Sequence, residues 1–137
     1  DFAHHPTAIA ATMKALRQRY PNGAIHVVFE PRSNTTTRNF FQKELAECFA
    51  GAATVVLGPV NRPERYRADE RLDTEQLVGD LQGAGIDAHS IPSERSSDPA
   101  WGRDVAAILE GRVKSGDVIA VLSNGDVGGL RALLSAR

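Results

Sequence analysis

The sequence predicts an α/β fold: a Rossmann-like, mostly parallel sheet with helices on both faces, in a single domain over residues 1–137. Short, nearly uninterrupted apolar runs at AIHVVF (24–29), ATVVLG (53–58) and DVIAVL (117–122) read as strands covered on both faces. Longer segments with apolar residues at helical spacing lie between them. Glycine, proline, asparagine and aspartate punctuate the junctions.

Taken in order, Ile9, Met13, Leu16 and Tyr20 form a helical stripe after Pro6, whose missing N–H costs nothing in a first turn. Pro21-Asn22-Gly23 stops that helix, and the strand 24–29 follows. A helix is predicted from about Phe40 to Phe49, then the strand from Ala53. The polar stretch Asn61–Arg71 reads as the most mobile loop. Asp73 or Thr74 caps a helix through Leu77 and Leu81 that ends at Gly83 or Gly85. IDAHSI (86–91) alternates and reads as an edge strand. Asp98-Pro99 marks a helix start, with Trp101, Val105, Ile108 and Leu109 on its apolar face. The third buried strand is 117–122, and a helix from Gly128 to Ala136 closes the chain.

Composition bounds the partners. A hydrophobic content of 42% with 24% charged residues is that of a soluble globular domain, and a net charge of −1 gives no electrostatic basis for nucleic acid or an anionic membrane. No apolar run approaches the roughly 20 residues of a membrane span. The single Cys48 lies among apolar residues, reads as a buried inert thiol, and fits a reducing compartment. A chain that opens on Asp with a helix signal almost at once reads as an excised domain.

In parallel sheets of this kind, ligands bind beyond the carboxyl ends of the strands. EPRSNTTT (30–37), GPVNRPER (58–65) and SNGDVGG (123–129) each follow an apolar strand, so all three should meet on one rim. Arg32 could grip a carboxylate or phosphate, with Ser33, Asn34 and Thr35 adding neutral hydrogen bonds; a solvated loop would look the same. SNGDVGG could offer backbone N–H groups to an anion, or be a tight turn with close helix–sheet packing. Arg62, Arg65 and Arg67 form a basic stretch that fits a solvated loop equally well. At the start of the chain, DFAHHPT fits a metal site, a helix cap or a ligand contact, and the two carboxylate oxygens of Asp1 suit a ribose diol. Adjacent histidines diverge, which argues against a shared metal ion. There is no Ser–His–Asp or Cys–His set and no acid pair that demands catalysis, so no catalytic residue is assigned.

DFAHHPTAI, VVFEPRSNTTTRNFF and VLSNGDVGGLRALL, in this order and spacing, resemble the C-terminal domain of the Mur ligases, the ATP-dependent amide-forming enzymes of bacterial peptidoglycan assembly. FEPRSNT and SNG with its following GG look most like the murein-recycling branch. That branch joins the tripeptide L-alanyl-γ-D-glutamyl-meso-diaminopimelate to UDP-N-acetylmuramate. TTTRNFF is closer to the branch that adds L-alanine, and Asp126-Val127 stands where the recycling branch usually has Gly-Phe.

The resemblance implies a three-domain cytoplasmic parent, with the UDP-sugar bound by an N-terminal domain and ATP and Mg2+ mainly by a central one. In that family ATP phosphorylates the muramoyl carboxylate and an amine then displaces phosphate. This chain has no GxxxxGK[ST] loop, so alone it is expected to be inactive. By the same carry-over Asp1 contacts the ATP ribose with His4 and His5 beside the nucleotide. Arg32, Ser33, Asn34 and Thr35, with Ser123, Asn124 and Gly125, would line the entry of the amine substrate, and Arg62 is a weaker candidate for that role. A non-catalytic Rossmann-like nucleotide-binding module shares the fold and loop positions.

Overall fold

In the computed structural model, which describes residues 5–32, 39–123 and 125–135, helix α1 runs Pro6–Arg19. Ile9 and Met13 are fully buried and Leu16 packs beside them, while Tyr20 is 38% exposed. The predicted stripe thus ends one turn early, because Tyr20 caps the helix with non-helical backbone and swings off the buried face.

The remaining elements are β1 (Ile25–Phe29), α2 (Gln42–Glu47), β2 (Thr54–Leu57), α3 (Thr74–Gly83), β3 (Asp87–Ser90), α4 (Gly102–Leu109), β4 (Val118–Leu122) and α5 (Leu130–Ser135). Strands β1–β4 pair in parallel in the order β3-β2-β1-β4, with Phe29 opposite Leu57 on one side and Leu122 on the other. Alternation along the strands sends Val27, Phe29, Val55 and Leu57 to one face, against Ile9 and Met13 of α1, Leu45 of α2, and Leu77 and Leu81 of α3. Val28 and Val56 point the other way, onto Val105 and Leu109 of α4 and Leu130 of α5. Each of these fully buried side chains contributes about 1.5–3 kcal/mol, and together they fix the register. The expected helices on both faces of a parallel sheet are present.

Four local expectations are corrected. The run 117–122 is not a strand buried on both sides. Among the described residues β4 is an edge, so Val118, Ile119, Ala120 and Val121 stay half-buried and only Leu122 is buried. Apolar composition cannot tell a covered edge from an uncovered one. The helix at Asp98-Pro99 starts later, at Gly102: the Asp98 carboxylate accepts from Ala100 N–H (2.9 Å) and from Arg95 Nη2 (2.7 Å), which favours a turn. The segment 40–49 opens with a 3-10 turn, Asn39–Phe41, that leaves Phe40 64% exposed. The last helix begins only at Leu130, since Gly128 and Gly129 have left-handed backbone.

Asp73 caps α3 as expected, accepting from Gln76 N–H at 3.0 Å, and β3 is an edge strand. The polar loop 61–71 is fastened at its far end, where Asn39 bonds the carbonyls of Asp69 and Glu70. Cys48 is buried, and burial pushes its thiol up to about 12. The chain folds it as an inert apolar side chain.

At the amino ends of the strands, Asp117 ties three segments together. Its carboxylate lies 2.9 Å from His26 Nε2 and accepts from the N–H groups of Lys114 (3.0 Å) and Ala24 (3.1 Å). The His26 bond, then the two backbone bonds, hold the Asp117 carboxyl down at about 2. A carboxyl depressed in the folded state stabilises the fold above its ordinary value near 4, and that stabilisation is lost as pH falls toward about 2. Asp117→Asn should therefore flatten the acid limb of stability between about pH 4 and 2. Denaturant midpoints across that range provide the check, and an unchanged acid limb would contradict the assignment.

Candidate functional site

The chain passes from β1 to β2 to β3 on one side of the sheet, through α2 and α3. It then crosses on the opposite face through α4 to place β4 on the other side of β1. The order therefore reverses between β1 and β4, the position where parallel sheets open a crevice at their carboxyl ends. The residues that follow these two strands are Glu30 and Ser123, and both are buried, at 6% and 3% exposure.

They are bonded across the reversal. Ser123 Oγ–H donates to Glu30 Oε1 at 2.6 Å, and Glu30 N–H donates to the Leu122 carbonyl at 3.3 Å. Ser123 Oγ also accepts from Gly125 N–H (3.0 Å), which closes the chain into a tight turn after β4. Arg131, on the first turn of α5, clamps that turn from outside: Nε donates to the Gly125 carbonyl (2.9 Å) and Nη2 to the Ser123 carbonyl (2.6 Å). Val127 is buried in the same turn with left-handed backbone (φ 58°), a conformation that strains a β-branched residue. Bonds on both sides hold it there, since Leu130 N–H donates to its carbonyl and Gly129 N–H to the Asp126 carboxylate.

Arg32 lies over this turn. Its Nη1 is 3.4 Å from Glu30 Oε2, and its guanidinium stacks on Gly125 so closely that a Cβ there would stand 2.9 Å from Nη1. The Arg32 side chain is 38% exposed against 5% for that of Glu30. The result is an open, planar, forked cation on a buried carboxylate, a geometry suited to gripping a carboxylate or phosphate that enters the crevice.

Of the predicted site residues, Arg32, Ser123 and Gly125 are thus brought together. Arg62 is not joined to them by any bond among the described residues; it is exposed at the head of a 3-10 turn (Pro63–Arg65), with left-handed backbone. Asp1, His4, Ser33, Asn34, Thr35 and Asn124 lie outside the described residues. His5 caps α1, its Nδ1 accepting from Thr7 N–H at 3.1 Å, and its ring meets Phe41 edge-on at 4.7 Å. That arrangement fixes the ring at the head of α1, against Phe41. The turn 123–129 spends the amides of Gly125 and Gly129 internally, and Gly128 O accepts from Gly102 N–H, so these glycines serve close packing.

Two members of the cluster escaped the sequence reading. Glu30 carried a weak signal, as an acid directly abutting a nearly all-apolar strand. Arg131 carried none. Among the described residues no three His, Cys, Asp or Glu side chains group where a metal ion could sit, and no helix is long and apolar enough to cross a membrane.

The family model described as "Mur ligase, glutamate ligase domain" matches residues 1–125. UDP-N-acetylmuramate–L-alanine ligases are among the similar curated proteins. The one from Chloroflexus aggregans is 32% identical over all of this chain and 27% of its own length. That of Magnetococcus marinus is 34% identical over 93% of this chain and 26% of its own length. The chain spans about a quarter of the length of these relatives. Among solved structures, a murein peptide ligase from Psychrobacter arcticus shares the fold over 99% of this chain and 26% of its own, with TM-score 0.70 and 24% identity. A domain assigned to a UDP-N-acetylmuramate:L-alanyl-γ-D-glutamyl-meso-diaminopimelate ligase of Haemophilus ducreyi is 28% identical. It matches over 99% of this chain and 86% of its own, with TM-score 0.60.

Proposed function

The chain belongs to the Mur ligase family, and from that premise we propose that it is the C-terminal domain of a longer, ATP-dependent amide-forming ligase acting on UDP-N-acetylmuramate. Its task is to bring the amine substrate to an activated carboxylate. The observation that carries this reading is the exposed Arg32 fork, seated on buried Glu30 where the strand order reverses. ATP, with Mg2+, is held mainly by the rest of the parent enzyme and supplies the phosphoryl group that activates the carboxylate. The residues of this chain do the positioning. Arg32 grips a carboxylate of the incoming amine substrate, and the turn 123–125 limits how that substrate lies. Closure of the rim excludes water that would otherwise consume the activated carboxylate.

The amine substrate in this reading is the tripeptide L-alanyl-γ-D-glutamyl-meso-diaminopimelate. It is supported by the sequence FEPRSNT and by the 28% identity to the Haemophilus ducreyi domain. L-Alanine is the second reading, favoured by the identity of 32–34% to L-alanine ligases. The test of function class is phosphate release by the full-length parent enzyme with Mg2+-ATP. Release that requires both UDP-N-acetylmuramate and an amine is expected, and release that ignores both would refute the ligase. At the start of the chain, Asp1 meets the ATP ribose in this reading, with His4 and His5 beside the nucleotide. Asp1→Ala should then weaken apparent ATP affinity by about 1–3 kcal/mol, the worth of a charge-assisted hydrogen bond. An unchanged Michaelis constant for ATP would remove that assignment.

A further inference from the structure

We propose that Glu30 is the positioning residue of the amine-substrate site: buried between Ser123 and Arg32, it holds the Arg32 guanidinium flat over Gly125, in the orientation that accepts a carboxylate. The inference rests on the reading of Arg32 given above and adds a residue that acts only through it. Three observations support it. The Glu30 side chain is 5% exposed, and both its oxygens are engaged, Oε1 by the Ser123 hydroxyl (2.6 Å) and Oε2 by Arg32 Nη1 (3.4 Å). Ser123 cannot turn away, because its Oγ is also the acceptor for Gly125 N–H and its carbonyl is held by Arg131. Gly125 leaves room for the guanidinium that no other residue type would leave, with Cζ and Nε only 3.0 Å from where a Cβ would stand.

The chemistry demands a carboxylate here. Glu30 must accept from two donors on two different oxygens, one a hydroxyl and one a cation. A glutamine of the same shape has a single accepting oxygen. If that oxygen serves Ser123, the amide N–H groups face the N–H groups of Arg32 and push the guanidinium out. If it serves Arg32, the amide donates to a Ser123 hydroxyl that has lost its own acceptor. Either way Arg32 loses its seat while the volume of the side chain is conserved.

The experiment uses the full-length ligase with Mg2+-ATP, UDP-N-acetylmuramate and the tripeptide, with L-alanine as the parallel amine. Glu30→Gln should raise the Michaelis constant for the amine substrate about 5–20-fold. The constants for ATP and UDP-N-acetylmuramate, and kcat, should stay within about twofold, a split that a general loss of fold would not produce. In an Arg32→Ala background the same change should have no further effect. Gly125→Ala, which displaces the guanidinium without touching Glu30, should reproduce the Glu30→Gln pattern and keeps the test open if Glu30→Gln folds poorly. If Arg32→Ala raises the constant for the amine but Glu30→Gln and Gly125→Ala do not, the positioning role is overturned and the Arg32 reading stands. If Arg32→Ala itself leaves that constant unchanged, the reading beneath both has failed.

Discussion

Gly102→Ala is expected to destabilise the chain by about 3 kcal/mol, lowering its melting temperature by about 10 °C. A methyl group at Gly102 would stand 2.5 Å from the Gly128 carbonyl oxygen and 2.6 Å from both Leu130 N and the Val127 carbonyl oxygen. All three are backbone atoms, so no side chain can rotate to make room. Relief requires α4 and the turn before α5 to separate, breaking the 2.8 Å bond from Gly102 N–H to Gly128 O and loosening Trp101, which is buried against Gly128. Overpacking of this kind costs about 1–3 kcal/mol and the lost hydrogen bond about 1 more. Gly79→Ala is the control. Gly79 is exposed inside α3 with nothing near its absent Cβ, so alanine there should stabilise by about 0.5–1 kcal/mol. Denaturant titration of both variants settles the matter. A Gly102→Ala chain within about 0.5 kcal/mol of the parent would mean that the α4–α5 junction yields far more easily than its backbone contacts imply.

Arg32→Ala in the full-length ligase should raise the Michaelis constant for the amine substrate by about 10–100-fold, the worth of a hydrogen-bonded charge pair at about 1.5–3 kcal/mol. The constant for ATP should be nearly unmoved, because the nucleotide is assigned to Asp1, His4 and His5 and not to Arg32. Arg32→Lys should recover only part of the loss. It restores the charge but not the fork, and an ammonium cannot stack on Gly125 as the planar group does. Steady-state kinetics with each substrate varied in turn provides the check. A loss confined to ATP would place Arg32 on the wrong side of the reaction.

The strands β1 and β2 were legible because every residue in them is buried on both faces, so apolar composition alone marks them. The same signal misled at β4. Its VIAVL is as apolar as β1, but burial at an edge depends on what lies beside it, which composition does not encode. The Asp73 cap was legible because a cap is a local device, and Asp98 misled because an equally local turn competes with the cap: Arg95 and Ala100 claim its carboxylate. At the site, Arg32, Ser123 and Gly125 could be named from residue type and position after a strand. That Glu30 would be buried between them could not, because an acid after a strand is ordinarily solvated. Only the pairing of β1 with β4 across the reversal, 93 residues apart in sequence at Glu30 and Ser123, brings it under cover. Arg131 was silent for another reason: its partners are backbone carbonyls, which carry no side-chain signature.

The central claim is that the crevice between β1 and β4 receives the amine substrate, and that this substrate is the tripeptide. Phosphate release by the full-length ligase, with Mg2+-ATP, UDP-N-acetylmuramate and either the tripeptide or L-alanine as the amine, tests it most directly. Turnover with the tripeptide and none with L-alanine is the predicted result, whereas turnover with L-alanine alone would contradict it and assign the crevice to the smaller substrate.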